Sequence, residues 1–178
     1  MSKVDRRIIK SQQAIKKAVI ELMGEKNFDQ ITIQDISDRA DVSRRTIYLH
    51  YVDKYDLLDK LTGEHINDLR KLCDAAADMN YVDAELLWFE YFERNYLFFS
   101  TMLVSKGAPY FRSRFLEFVI EELKNERCTT ELNEDDEVKV QFFGAALVGI
   151  AEWWFKNEKP CSPQVMAQRV GMLLENNF

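Results

Sequence analysis

Apolar residues recur three and four positions apart along nearly the whole chain, the spacing of helices that bury one face. Ile8, Ile15, Val19, Leu22 and Met23 form one such stripe, with lysines and arginines on the other side, so residues 5–26 are expected to be helical with the stripe in the core. Asn27-Phe28-Asp29-Gln30 reads as a turn. Ile31-Thr32-Ile33 is β-like in composition but too short for a strand; Thr32 better suits a helix N-cap, with Asp35 in the acidic position of a capping box. A short helix follows to about Ala40, burying Ile33, Ile36 and Ala40. Asp41-Val42-Ser43 breaks it, and Ser43 caps a further short helix over 44–50. Asp53 caps the next, which opens at Lys54 and keeps Leu57, Leu58, Leu61, Ile66, Leu69 and Leu72 in helical register to about Ala77.

Beyond it the rhythm predicts helices over 83–103, 109–125, 134–157 and 163–176. Pro109 and Pro163 fall in first turns, where proline is tolerated. Gly107 and Lys159-Pro160-Cys161-Ser162 mark loops. The expected fold is all-α: an N-terminal three-helix helix-turn-helix head over 1–56, and a C-terminal helical bundle over 57–178.

Composition agrees with this. Of 178 residues, 47% are hydrophobic and 30% charged, as in a globular protein, and only 6 Gly and 3 Pro interrupt the helices. No apolar run approaches the roughly 18–20 residues that span a bilayer, and the charged start MSKVDRRIIK does not resemble a secretory leader, so a cytoplasmic protein with no membrane partner is expected. Cys73, Cys128 and Cys161 are far apart and lack CxxC spacing, which points to neither a disulfide framework nor a metal site; idle buried thiols and one redox-sensing thiol remain the alternatives. The formal charge of −6 is unevenly spread. Residues 1–56 hold eleven basic side chains against nine acidic ones, a net +2 that leaves −8 for the remainder. A basic head on an acidic body suits phosphate binding at one end only.

Enzyme chemistry finds no support. The two histidines, His50 and His65, stand fifteen apart; there is no Gly-rich phosphate loop, HExxH or GxSxG, and no cofactor is implied. Glu121-Glu122 and Asp135-Asp136 read as solvated faces. The functional segment is instead the pair of short helices. The second has Val42 and Ile47 for an inward face and offers Arg44, Arg45, Thr46, Tyr48 and His50 as donors. An arginine fork matches guanine O6 and N7, so Arg44 and Arg45 are the candidates for reading bases, while hydroxyls and lysines hold phosphates. Tyr48 could also be core, and His50 could equally be a structural residue beneath the helix. A protein-interaction module using the same shape is the other alternative.

The run ITIQDISDRADVSRRTIYLHYVDKYDLL resembles the DNA-binding signature of the TetR (tetracycline-repressor-like) family in order and spacing, with matches at Thr32, Ile36, Ala40, Val42, Ser43, Thr46, Ile47, Tyr48, His50, Lys54 and Leu57-Leu58. The resemblance implies a double-stranded DNA operator read by Arg44, Arg45 and Thr46, with Thr32, Tyr48 and Lys54 on phosphates. It also implies a homodimer, a repressor habit and release by a small effector. Asp41 replaces the family's usual turn glycine, Tyr51 its usual Phe, and Tyr55 an acid. The part from Pro109 onward resembles the regulatory domain of a subset of the family seen in low-GC Gram-positive bacteria.

For the body, Phe142, Ala146, Gly149 and Trp153, with Val170 and Leu173 on the last helix, are the candidate dimer interface, because small residues between large apolar ones allow close approach. The aromatics Trp88, Phe92, Tyr96, Phe99, Phe115 and Phe143 are candidates to line a cavity for a lipophilic or aromatic effector; an ordinary aromatic core is the alternative.

Overall fold

The computed structural model describes residues 3–104, 109–126 and 134–177, and all regular structure among them is helical. In chain order the helices are α1 (Lys3–Glu25), α2 (Ile33–Ala40), α3 (Arg44–Tyr48), α4 (Lys54–Ala75), α5 (Tyr81–Arg94), α6 (Tyr96–Val104), α7 (Pro109–Glu126), α8 (Glu134–Lys156) and α9 (Pro163–Asn177), with a 3-10 turn at Phe28–Gln30. None is long and apolar enough to cross a membrane. Gly107 and Cys128 lie outside the described residues. The chain forms two compact units whose boundary falls between Glu64 and His65, inside α4.

In the first unit α2 and α3 pack on α1 and on each other. Ile15, Val19, Leu22, Met23, Ile36, Ile47 and Leu57 are buried together with Phe28 and Ile31 of the turn. Ile8 departs from the expected stripe: it is 41% exposed. The reason is length. α1 runs roughly 35 Å, whereas α2 and α3 span roughly 12 and 8 Å, so they cannot cover its first turns. Charge pairs tie α2 to the end of α1. Arg39 donates to both carboxylate oxygens of Glu25 at 2.9 and 2.8 Å, which holds that carboxyl below its usual range. Lys26 bonds Asp35 at 2.9 Å.

In the second unit α5 lies along α9, α7 packs on α8, and α6 contacts both α7 and α8. The crossing of α5 with α9 depends on Gly171: a Cβ there would stand 2.5 Å from Val82 Cα and 2.6 Å from its nitrogen. Residues 83–103 are two helices rather than one. Asn95 leaves helical geometry at φ −108°, ψ 33°, its Nδ2 donates to the Tyr91 carbonyl at 2.9 Å, and its own carbonyl accepts from Phe98 and Phe99. Asparagine can close one helix and open another through its own amide. Glu121 and Glu122, expected on a solvated face, both accept from Arg70, at 2.8 and 2.7 Å; burial nevertheless pushes the Glu122 carboxyl up.

Candidate nucleic-acid interface

Local chemistry fixes the two short helices. Thr32 caps α2: its Oγ1 accepts from the Asp35 amide at 3.1 Å while Asp35 Oδ2 accepts from the Thr32 amide at 2.7 Å. With Lys26 and Thr32 both donating to it, the Asp35 carboxyl is lowered to about 2. α2 ends at Asp41 in the left-handed region, φ 52°, ψ 46°. Aspartate tolerates that conformation better than most residues with a Cβ, so the turn forms without glycine. Buried Ser37 closes it, donating through Oγ to the Val42 carbonyl at 2.6 Å and accepting at its own carbonyl from the Val42 amide at 3.1 Å. Ser43 then caps α3, accepting from the Thr46 amide at 3.1 Å, and the two hydroxyls share a hydrogen bond of 2.8 Å.

This sets the directions of the α3 side chains. Ile47 is fully buried and Thr46 half-buried, while Arg44, Arg45 and Tyr48 are exposed. Tyr48 is therefore not core. No ion pair occupies either arginine among the described residues, and α3 carries no acid in its first turn. His50 lies two residues past the end of α3. Its half-buried ring meets Tyr51 edge-on at 6.1 Å, and its carbonyl accepts from Lys60 at 3.2 Å. Tyr51 is buried beneath it, and that burial, with Glu64 and Asp56 nearby, pushes its phenol up to about 12.

Lys54 opens α4 as expected and makes contacts that the sequence did not announce. Its Nζ donates to three backbone carbonyls, Phe28 at 2.9 Å, Asp29 at 2.8 Å and Ile31 at 2.9 Å, and lies over the rings of Phe28 and Tyr55 at 5.0 and 5.2 Å. An ammonium has three protons, and all three are spent on the 3-10 turn. Without DNA, Lys54 thus acts as a clamp on the 3-10 turn of the head. Tyr55, whose role the sequence left blank, meets Phe28 edge-on at 5.4 Å and completes the clamp.

The body residues divide. Phe92, Phe99 and Phe115 are almost wholly buried and pack on one another with centroids 4.7–6.5 Å apart, a filled core. Tyr96 is exposed beneath Lys159. Trp88 stacks on Phe118 and lines a cavity of about 410 Å³ with Cys73, Asp74, Glu85, Glu122 and Leu123. Phe143 lines a separate apolar groove of about 310 Å³ between α8 and α9, shared with Phe142, Ala146, Val170 and Leu173. The six aromatics thus do not surround one space, because rings at edge-to-face distances fill volume rather than frame it. Of the interface candidates, Phe142, Trp153 and Leu173 are exposed, Ala146 and Gly149 half-buried, and Val170 buried.

Two family models match the chain: "Bacterial regulatory proteins, tetR family" over residues 15–61 and "Transcriptional regulator C-terminal region" over residues 83–176, more than half its length. The chain belongs to the TetR family. The chain is 36% identical over 59 residues to an uncharacterised HTH-type transcriptional regulator of Bacillus subtilis, YxbF, although the match spans 33% of this chain and 16% of that relative. Among solved structures it is similar to a TetR transcriptional regulator from Streptococcus agalactiae at 26% identity and TM-score 0.69, covering 95% of this chain and 96% of that one. NalD of Pseudomonas aeruginosa, titled the secondary repressor of the MexAB-OprM multidrug efflux pump, shares the fold at 16% identity and TM-score 0.72, covering 94% and 95%. The dihydroxyacetone kinase operon activator DhaS shares it at 20% identity and TM-score 0.64, covering 94% and 96%.

For this TetR-family chain, a regulator and not an enzyme, sequence reasoning missed Ser37 and Tyr55 as supports of the helix-turn-helix. Two signals pointed to them: a hydroxyl four residues before the Asp41 break, and an aromatic beside the clamping lysine. The clamp makes a measurable difference. Lys54→Met should destabilise the head by about 2 kcal/mol, since hydrogen bonds to a charged donor are each worth about 1.5–3 kcal/mol before discounting for exposure. Urea unfolding checks the loss. In DNA titrations the salt slope of the remaining binding should be unchanged, whereas removing a phosphate contact lowers it by about one.

Proposed function

We propose that the protein is a homodimeric repressor that lays α3 of each protomer in successive major grooves of a palindromic operator and is released by a small lipophilic or aromatic effector. The observation that carries this is the outward arc of α3, where Arg44 and Arg45 stand exposed and unpaired among the described residues on a helix that Ser43 caps. With no carboxylate partner among the described residues, these two guanidinium groups are available to the base edges and phosphates of a duplex. Tyr48 shares the arc, Thr32 and Ser43 are exposed as well, and Thr46 and His50 are half-buried. In this reading residues 1–56 are the DNA-binding part and 57–178 the effector-binding and dimerisation part.

Dimerisation is supported by the exposed apolar stripe on α8, Phe142 and Trp153 with Ala146 and Gly149 between them, and by Met172 and Leu173 on α9. A solvated stripe of this kind is costly unless a second copy covers it. The effector is assigned to the cavity of about 410 Å³ that Trp88 lines, a volume within the usual range for small ligands. Cys73 and Asp74, at the far end of α4 from Lys54, border the same cavity, so a ligand that favours one position of α4 shifts the heads and lowers their joint affinity. NalD is a repressor and DhaS an activator; repression is the family's habit.

Selection of bound fragments from a random duplex pool tests the proposal. The expected product is an inverted repeat with half-sites about 10 base pairs apart, the spacing that puts two recognition helices one turn of DNA apart. Enrichment of no sequence at low salt would defeat it.

A further inference from the structure

We infer that Leu49 is a specificity-determining residue that meets the C5 methyl of a thymine beside the base contacted by Arg45. The inference rests on the DNA-binding reading of α3 and adds to it the identity of a second base.

Lone exposed leucines are common and carry no meaning by themselves. This one is set apart by its position. It is 72% exposed, and its amide donates to the Arg45 carbonyl at 3.1 Å, so it continues the last turn of α3 one turn beyond Arg45. At 3.6 residues per turn its side chain leaves the axis roughly 160° from that of Ile47, which is fully buried in the head. Arg44, Arg45, Tyr48 and Leu49 therefore form one continuous exposed arc. Any duplex that covers both arginines covers the leucine with them.

What Leu49 can touch follows from its chemistry. It has no group to hold a phosphate or bond a base edge. In the major groove thymine alone among the four bases presents an apolar group; guanine, adenine and cytosine present donors and acceptors there. Pressing leucine onto one of those would strip water from polar atoms without replacing its hydrogen bonds. A leucine on this arc thus favours thymine and disfavours the other bases at one position, next to an arginine that favours guanine.

The test uses the full-length protein and the operator selected from random duplexes. Each thymine is replaced in turn, in both half-sites together, by deoxyuridine, which keeps every hydrogen-bonding group and lacks only the methyl. One position per half-site is expected at which the replacement weakens wild-type binding about fourfold for each half-site, the worth of one buried methyl. Leu49→Ala should bind the thymine and uracil operators alike while keeping the wild-type thermal midpoint, because the side chain it shortens is exposed. If Leu49→Ala retains the thymine preference, or no uracil replacement matters to a wild-type protein that still binds its operator specifically, the inference is overturned and the DNA-binding reading stands. If no duplex is bound, both fall.

Discussion

Arg45→Ala is expected to lose about fivefold to 150-fold in operator affinity for each half-site, the 1–3 kcal/mol of one bidentate contact to guanine, without moving the thermal midpoint. The second half of that statement follows from the geometry: Arg45 is exposed and makes no ion pair among the described residues, so the fold loses nothing when it is shortened. The loss should fall on the selected operator far more than on unrelated duplexes, since a base contact carries specificity and a phosphate contact does not. Arg45→Lys should not restore it, because an ammonium lacks the planar fork that spans O6 and N7. Arg44→Ala gives the comparison. If Arg44 holds a phosphate, its replacement weakens all duplexes alike and lowers the salt slope by about one. Competition titrations of both variants against specific and scrambled duplexes separate the two roles.

Gly171→Ala is expected to be the most damaging small substitution in the body. The added methyl would stand 2.5 Å from Val82 Cα, backbone that cannot rotate away as a side chain can. α5 and α9 must then separate, and overpacking of this kind costs about 1–3 kcal/mol, the upper end being expected where backbone is struck. For a chain of this size that upper end lowers the thermal midpoint by about 6–12 °C. Gly24→Ala is the control. Nothing lies within 4 Å of a Cβ at Gly24, which sits in α1, so the same chemical change there should stabilise the helix by about 0.5–1 kcal/mol. Two glycine-to-alanine changes with opposite signs would establish that the close crossing, and not glycine content, sets the stability of the body.

The head was legible in the sequence because its local rules are strong and agree with one another. Thr32 and Ser43 announced their caps, Asp41 announced the break, and Ile36 and Ile47 announced which way the short helices face. The clamping role of Lys54 was illegible for a physical reason: a lysine at a helix start reads as a free charge until tertiary structure brings three carbonyls 23–26 residues earlier within reach. The α5–α6 break was illegible because Asn95 sits in a run of aromatics with no glycine or proline, and its amide does the work that breakers usually do. The aromatic residues revealed an aromatic body but not its voids. Whether Phe92, Phe99 and Phe115 enclose a ligand or fill a core depends on ring directions, which helical spacing does not encode. Leu49 went unremarked because an apolar residue at the end of a helix looks like core until its direction relative to Ile47 is known.

Affinity for a selected inverted repeat and for a scrambled duplex of equal length, measured across a range of salt concentrations, reaches the central claim most directly. The account predicts a gap of at least 10³-fold between the two at moderate salt, with binding to both falling steeply as salt rises. Equal affinity for the two duplexes, or binding indifferent to salt, would contradict it.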